Sequence, residues 1–193
     1  MAQFGQLHLW PHLSRSQGIV RRYFVVNGFD GALTMLGLMT GFHLGGGIEL
    51  DVVIGTCVGA AVALGISGVT SAYMSESAER RRALADLEQA MVSDLSESAH
   101  GSAARVIPVL IALVNGAAPM TMSIIIISPL WLARAGLDLP VTPLILSIGV
   151  AFLCIFGLGA FLGRVGGTSW LLSGVKATLI ALLTVLLILL LET

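Results

Sequence analysis

Charge is what this sequence has least of. Asp, Glu, Lys and Arg make up 11% of its 193 residues, against 56% hydrophobic, and the mean hydropathy is +0.94. A water-soluble domain carries about a quarter of its residues charged, so a soluble globular fold is excluded. The net charge of -1 gives no basic footprint for nucleic acid. Cysteine is scarce too. Cys57 and Cys154 both lie in apolar runs, where they read as small buried hydrophobes rather than a disulfide or a metal site. There is no Gly-x-Ser-x-Gly, no His-Glu-x-x-His, no phosphate loop and no Cys-x-x-Cys, so nothing points to an enzyme, a resident cofactor or an ATP-driven pump. The first residues do not read as a secretory signal. Residues 1–22 carry His8, Pro11, His12, Arg15, Arg21 and Arg22 with no continuous apolar stretch. Trp10 and the leucines near it suggest a segment lying at the membrane surface.

What is present is a series of apolar runs, each near the roughly 20 residues that cross a bilayer as a helix. Five spans are expected, at about 23–44, 51–75, 106–132, 141–163 and 170–191. The chain then divides into an N-terminal cytoplasmic or interfacial segment (1–22), two transmembrane helices (23–75), a cytoplasmic helical extension (76–105) and three further transmembrane helices (106–193). Glycines at 28, 31 and 37 in the first span and at 55, 59, 65 and 68 in the second suit helices that approach closely in lipid. Five spans place Arg15, Arg21, Arg22, Arg80, Arg81, Arg82, Arg105, Arg164 and Lys176 on one side and only Arg134 on the other. The positive-inside rule makes the first side cytoplasmic, with the N-terminus inside and the C-terminus outside.

The extension has helical composition. Leu84, Leu87, Met91 and Leu95 recur at helical steps as one apolar stripe, and no Gly or Pro separates them from the second span. The helix is expected to run straight out of the membrane, with Gly101 ending the segment and Pro108 opening the third span. Val26-Asn27-Gly28 and Val114-Asn115-Gly116 form a weak internal echo, of a kind that transporter repeats and chance both produce.

Asp30 is the residue with most to say. It lies about 10 Å into the first span at 1.5 Å per residue. An intramembrane carboxylate costs at least ~2.5 kcal/mol on insertion scales, so it faces a polar cavity or a partner. It reads as a cation ligand or proton carrier, or else as a structural hydrogen-bond acceptor for a neighbour such as Asn115. Asn27 precedes it by about one turn. Asn115 stands four residues before Pro119, which frees a backbone carbonyl as a further oxygen donor. Both asparagines fit interhelical packing equally well. Met35, Met39, Met120 and Met122 offer thioethers, a type more often used for packing. Glu76 and Glu79, an i, i+3 pair where the second span ends, could gather cations or could simply be neutralised by Arg80, Arg81 and Arg82. Glu88, Met91 and Asp94 extend that possibility along the helix. His43, Glu49 and Asp51 cluster at the opposite ends of the first two spans.

The run Tyr23-Phe-Val-Val-Asn-Gly-Phe-Asp30-Gly-Ala-Leu-Thr34, with Gly65-Ile-Ser-Gly-Val-Thr-Ser-Ala-Tyr73-Met-Ser-Glu76-Ser-Ala-Glu79-Arg, resembles the vacuolar iron transporter family, most closely its short prokaryotic branch. Phe156-Gly-Leu-Gly-Ala160 through Ser169-Trp170-Leu-Leu-Ser173-Gly174 is similar to that family's last two helices. The resemblance covers most of residues 20–190. It implies a homodimer of five-helix subunits in a prokaryotic cell membrane, moving Fe²⁺ or Mn²⁺ out of the cytoplasm in exchange for protons. It implies a pore at the dimer interface, lined by the first span with Asp30 as the pore aspartate, and Glu79 as an acidic residue after the second span. Two positions depart from the family. Gly68 replaces a methionine ligand, and Ala60 replaces an acidic residue of plant members about two turns earlier. Loss of a soft ligand leaves the choice of metal open.

The combined expectation is an all-α, five-span secondary transporter. Asp30, Asn27, Asn115 and Met35 would line its pore, and Asp30, Glu76, Glu79, Glu88 and Met91 would be its metal ligands. Its partners would be the divalent ion, protons, lipid and a second copy. The alternative is a non-transporting sensor or assembly partner that binds a soluble protein through the 76–100 helix.

Overall fold

A computed structural model describes the backbone of residues 2–192 and the side chains of residues 18–191. It is all helical, in the order α1 (Ala2–Gly45), α2 (Leu50–Met91), α3 (Ala99–Arg134), α4 (Pro143–Val165) and α5 (Trp170–Glu192). Among the described residues, α2, α3, α4 and α5 are long and apolar enough to cross a membrane, with mean hydropathies of 2.1, 2.0, 2.5 and 2.5 over their best windows. That is the pattern of a multi-pass membrane protein. Only 17% of the α5 window is buried inside the chain. Leu179, Leu183, Leu187 and Leu190 therefore point outward. An outward leucine face of this extent suits hydrocarbon and is a liability in water. The α1 segment falls outside this apolar class, because Asn27, Asp30 and its glycines dilute the run.

Helix ends follow local chemistry. Gly46 and Gly47 (φ +58° and +65°) make the left-handed turn from α1 into α2, and Gly136 (φ +82°) does so after α3. Pro143 starts α4, where its missing N–H has no intrahelical partner to lose. The α2 helix does run on through the 76–91 stretch, but it stops at Met91 rather than near Gly101. The Glu88 carboxylate accepts the Leu95 N–H at 2.9 Å and folds the following turn back. Ser98 then caps α3, its hydroxyl accepting from the His100 and Gly101 N–H groups at 3.2 and 3.3 Å. Gly101 thus belongs to the first turn of α3, pressed against the Ser96 and Leu95 carbonyls, where no side chain fits. Pro108 sits inside α3 instead of opening it, fully buried. The surface placement expected for Trp10 falls on side chains outside the described residues.

The chain forms two compact units, to both of which α1, α2 and α3 contribute. In one, α1 up to Phe24 joins Gly65–Ala117. Its core is Ala72, Ala103, Ile107, Ile111 and Ala112, with Val20, Tyr23 and Val69 packed on it. The other comprises Val25–Leu64 and the chain from Ala118 onward. Met35, Leu36, Met39, Ile127, Leu130 and Ile155 are among its buried core. Here α4 and α5 form a hairpin held by glycines. A methyl on Gly159 would lie 2.6 Å from Ala177 Cβ, and one on Gly163 would lie 2.6 Å from Ser173 Oγ. Small residues let two helices touch backbone to backbone where lipid supplies no hydrophobic drive.

Candidate functional site

In the unit containing α1 from Val25 onward, Gly31 is where α1 meets α3. A Cβ there would lie 2.6 Å from Pro119 Cα and 2.7 Å from its carbonyl oxygen. Gly28 sits against Leu158 and Met122 in the same way. With Gly28 and Gly31 turned inward, the helical repeat puts Asp30 and Val26 on the outward side, and both are exposed. Asp30 makes no hydrogen bond or ion pair with any described residue of its own chain. Asn27, one turn earlier, is half-buried. Met35 lies on the inward side at 0% exposure, and Met39 likewise. Both fill the core. At the far end of this unit Asp51, in the first turn of α2, pairs with Arg134, in the last turn of α3, at 3.1 Å. Each charge complements the partial charge of its own helix end. Both side chains are more than half exposed, which keeps such a pair within about 1 kcal/mol.

The other unit holds the remaining predicted residues. Asn115 is buried, and its Nδ2 donates to the Gly68 carbonyl at 2.7 Å. The carbonyl oxygen of Asn115 lies 3.1 Å from where a Gly68 Cβ would be. Gly116 makes the reciprocal approach, its missing side chain leaving room for Val69 and, at 2.5 Å, the Gly65 carbonyl. Asn115 therefore spends its amide on joining α3 to α2, a bond worth about 0.6–2 kcal/mol in an apolar setting. The same geometry accounts for Gly68. A methionine there would have to begin its side chain against the α3 backbone.

Glu76 is 6% exposed. The Tyr23 hydroxyl donates to it across a long 3.4 Å, and the Arg80 guanidinium lies 3.7 Å away. A carboxylate this buried needs such partners. Glu79 is exposed, Glu88 is engaged by the Leu95 N–H, and Met91 is 59% exposed at the end of α2. Asp94 accepts the Ser96 N–H at 2.8 Å, which holds its carboxyl below the ordinary carboxylate range. The four α2 candidates are thus spread over a buried ion pair, an open face, a turn and a helix end. Among the described residues, no three His, Cys, Asp or Glu side chains converge within one chain so as to hold a metal ion. Sequence reading missed the Tyr23–Glu76 contact, although both residues lie within the segments that carry the family resemblance. The glycine spacing in the second span signalled a close approach at Gly65 and Gly68, but the sequence did not show Gly116 of α3 as the surface they meet.

No family model matches the sequence, and no solved structure matches the chain. It is similar to an uncharacterized protein of the archaeon Methanocaldococcus jannaschii, with 26% identity over 174 residues spanning 89% of this chain and 87% of that protein.

Proposed function

We infer that this chain is a membrane carrier that exports a divalent transition metal, Fe²⁺ or Mn²⁺, from the cytoplasm in exchange for protons. One observation carries the reading. Asp30, within the part of α1 that follows Val25, is exposed and has no hydrogen-bond or ion-pair partner among the described residues of its own chain. A carboxylate left facing hydrocarbon costs at least ~2.5 kcal/mol, so this face must be covered by something polar. A second copy of the chain, with α1 crossing the bilayer as a fifth span, supplies that cover. The α2 residues Gly55 and Gly59, four apart in the same unit, are exposed with nothing within 4 Å, as a helix-pairing surface requires.

Two facing copies of Asp30 would give a hard cation two carboxylates, with Asn27 and backbone carbonyls as further oxygen donors. Each carboxylate can hold a cation or a proton but not both at once, which is the elementary requirement for exchange. Exposed Glu79 would raise the local cation concentration at the cytoplasmic end, and Glu76 would hold α2 against α1 through Tyr23. The resemblance to the vacuolar iron transporter family points the same way. Membership of its short prokaryotic branch, and a place in a prokaryotic cell membrane with the N-terminus inside, belong to the same proposal.

The test is flux. Purified protein in proteoliposomes should take up Mn²⁺ when the lumen is more acidic than the bath, and the lumen should become more alkaline as Mn²⁺ enters. A rival reading, in which the chain is a docking partner for a soluble protein, draws on Met91 and Val92, which are 59% and 91% exposed at the end of α2. Absence of any Mn²⁺ or Fe²⁺ movement under every gradient would favour it.

A further inference from the structure

A cavity of about 280 Å³ opens between the end of the second apolar run, on α2, and the start of α3. From α2, Tyr73, Ser77 and Arg81 line it at four-residue steps, and so stand on one helix face. Arg105 of α3 and Ser96 of the intervening turn close the other side. Among the described residues, no carboxylate lines it. The Arg105 guanidinium is fixed in place, its Nη2 donating to the Ser96 carbonyl at 2.7 Å and its Nε to the Gly101 carbonyl at 3.3 Å. Carbonyl partners orient it without cancelling its charge. Arg81 makes no ion pair with any described residue, whereas its neighbour Arg80 is engaged by Glu76. The cavity therefore holds two uncompensated positive charges, one of them pre-oriented, beside a serine hydroxyl and a tyrosine phenol.

That donor set matches a tetrahedral oxyanion. Guanidinium groups bind phosphate oxygens through paired N–H donors, and hydroxyls complete the shell. A carboxylate ligand would use one arginine fork and leave the second charge unanswered. We propose that this cavity binds a phosphoryl group, presented either by the headgroup of an anionic phospholipid or by a soluble phosphate ester. Basic pockets at the ends of membrane helices are suited to the first source. The site shares no residue with the Asp30 surface, so it stands or falls apart from the transport reading.

The full chain, reconstituted in phosphatidylcholine nanodiscs doped with phosphatidylglycerol, is examined by native mass spectrometry for retained lipid. The wild type is expected to retain phosphatidylglycerol in preference to phosphatidylcholine. Arg81→Gln should weaken retention about fivefold, the effect of one basic group at a membrane surface. Ser77→Leu, which fills the cavity and leaves both charges, should weaken it as well and guards against misfolding of an arginine variant. Arg82→Gln, whose side chain does not line the cavity, should change little. Inorganic phosphate, titrated in a separate arm, identifies a soluble source if it binds the wild type and is lost with Arg81→Gln. An equal loss with Arg82→Gln would reduce the effect to general surface attraction and overturn the proposal. So would a wild type that holds neither phosphatidylglycerol nor phosphate.

Discussion

Substituting Gly31 by alanine probes the contact that turns Asp30 outward. Ordinary van der Waals contact begins near 3.4 Å, and the new methyl would sit 2.6 Å from Pro119 Cα, a shortfall of 0.8 Å (3.4 − 2.6). The obstacle is backbone, and it belongs to a proline whose ring is fully buried. Neither side can yield by rotating a side chain, so α1 and α3 must separate. Alanine gains about 1 kcal/mol over glycine in helix propensity, while overpacking costs about 1–3 kcal/mol. With an immovable neighbour the upper end applies, for a net loss of ~2 kcal/mol. For a chain of this size that lowers Tm by about 4–8 °C. Gly157, with nothing within 4 Å of its would-be Cβ, is the control. Gly157→Ala should hold Tm or raise it by about 2–4 °C, since only the propensity gain remains. Thermal unfolding in one detergent, read by tryptophan fluorescence, measures both. Equal midpoints for the two variants would refute the close α1–α3 contact at Pro119.

Gly59→Leu should leave the monomer folded and weaken self-association by about 1–3 kcal/mol, read as a loss of dimers in single-molecule photobleaching. Unchanged association would remove the α2 face from the interface. Val92 holds φ at +50° and is 91% exposed, so Val92→Asn should stabilise the turn after α2 by ~1 kcal/mol in thermal unfolding. A neutral or negative effect would contradict that backbone conformation. The Asp94 carboxyl is held below its ordinary value of 3.8 by the Ser96 N–H. A lowered folded pKa means that its contribution to turn order is complete above 3.8 and is lost as pH falls through the folded value. The Ser96 amide shift should follow that titration and should lose it in Asp94→Asn.

The long apolar runs made four of the five helices plain from composition, because hydrocarbon demands unbroken apolar helix and little else. The first helix was harder to read, since Asp30, Asn27 and three glycines break its hydropathy while leaving helical backbone intact. The ends of α2 and α3 were misplaced because Gly101 was taken as a terminator. What it provides is room beside the Ser96 carbonyl, and Ser98 supplies the cap. At the candidate site, the sequence singled out Asp30 but not its outward position, which only the inward contacts of Gly28 and Gly31 reveal. The role of Asn115 could not be read from sequence, because an amide suits a cation and a helix carbonyl equally. Only the 2.7 Å distance to Gly68 decides for the latter. Met35 shows the same ambiguity, resolved by full burial in the core.

The proposed role of Asp30 as carrier of the transported ion is tested most directly by Mn²⁺ flux into proteoliposomes with wild-type protein and with Asp30→Asn. The substitution keeps size and removes charge from an exposed side chain, so folding and thermal stability should be unchanged. Wild-type flux that depends on the pH gradient, and its loss by about two orders of magnitude in the variant, is the expected result, because a neutral amide can neither bind a divalent cation tightly nor release a proton. A folded Asp30→Asn protein that moves Mn²⁺ as fast as the wild type would contradict it.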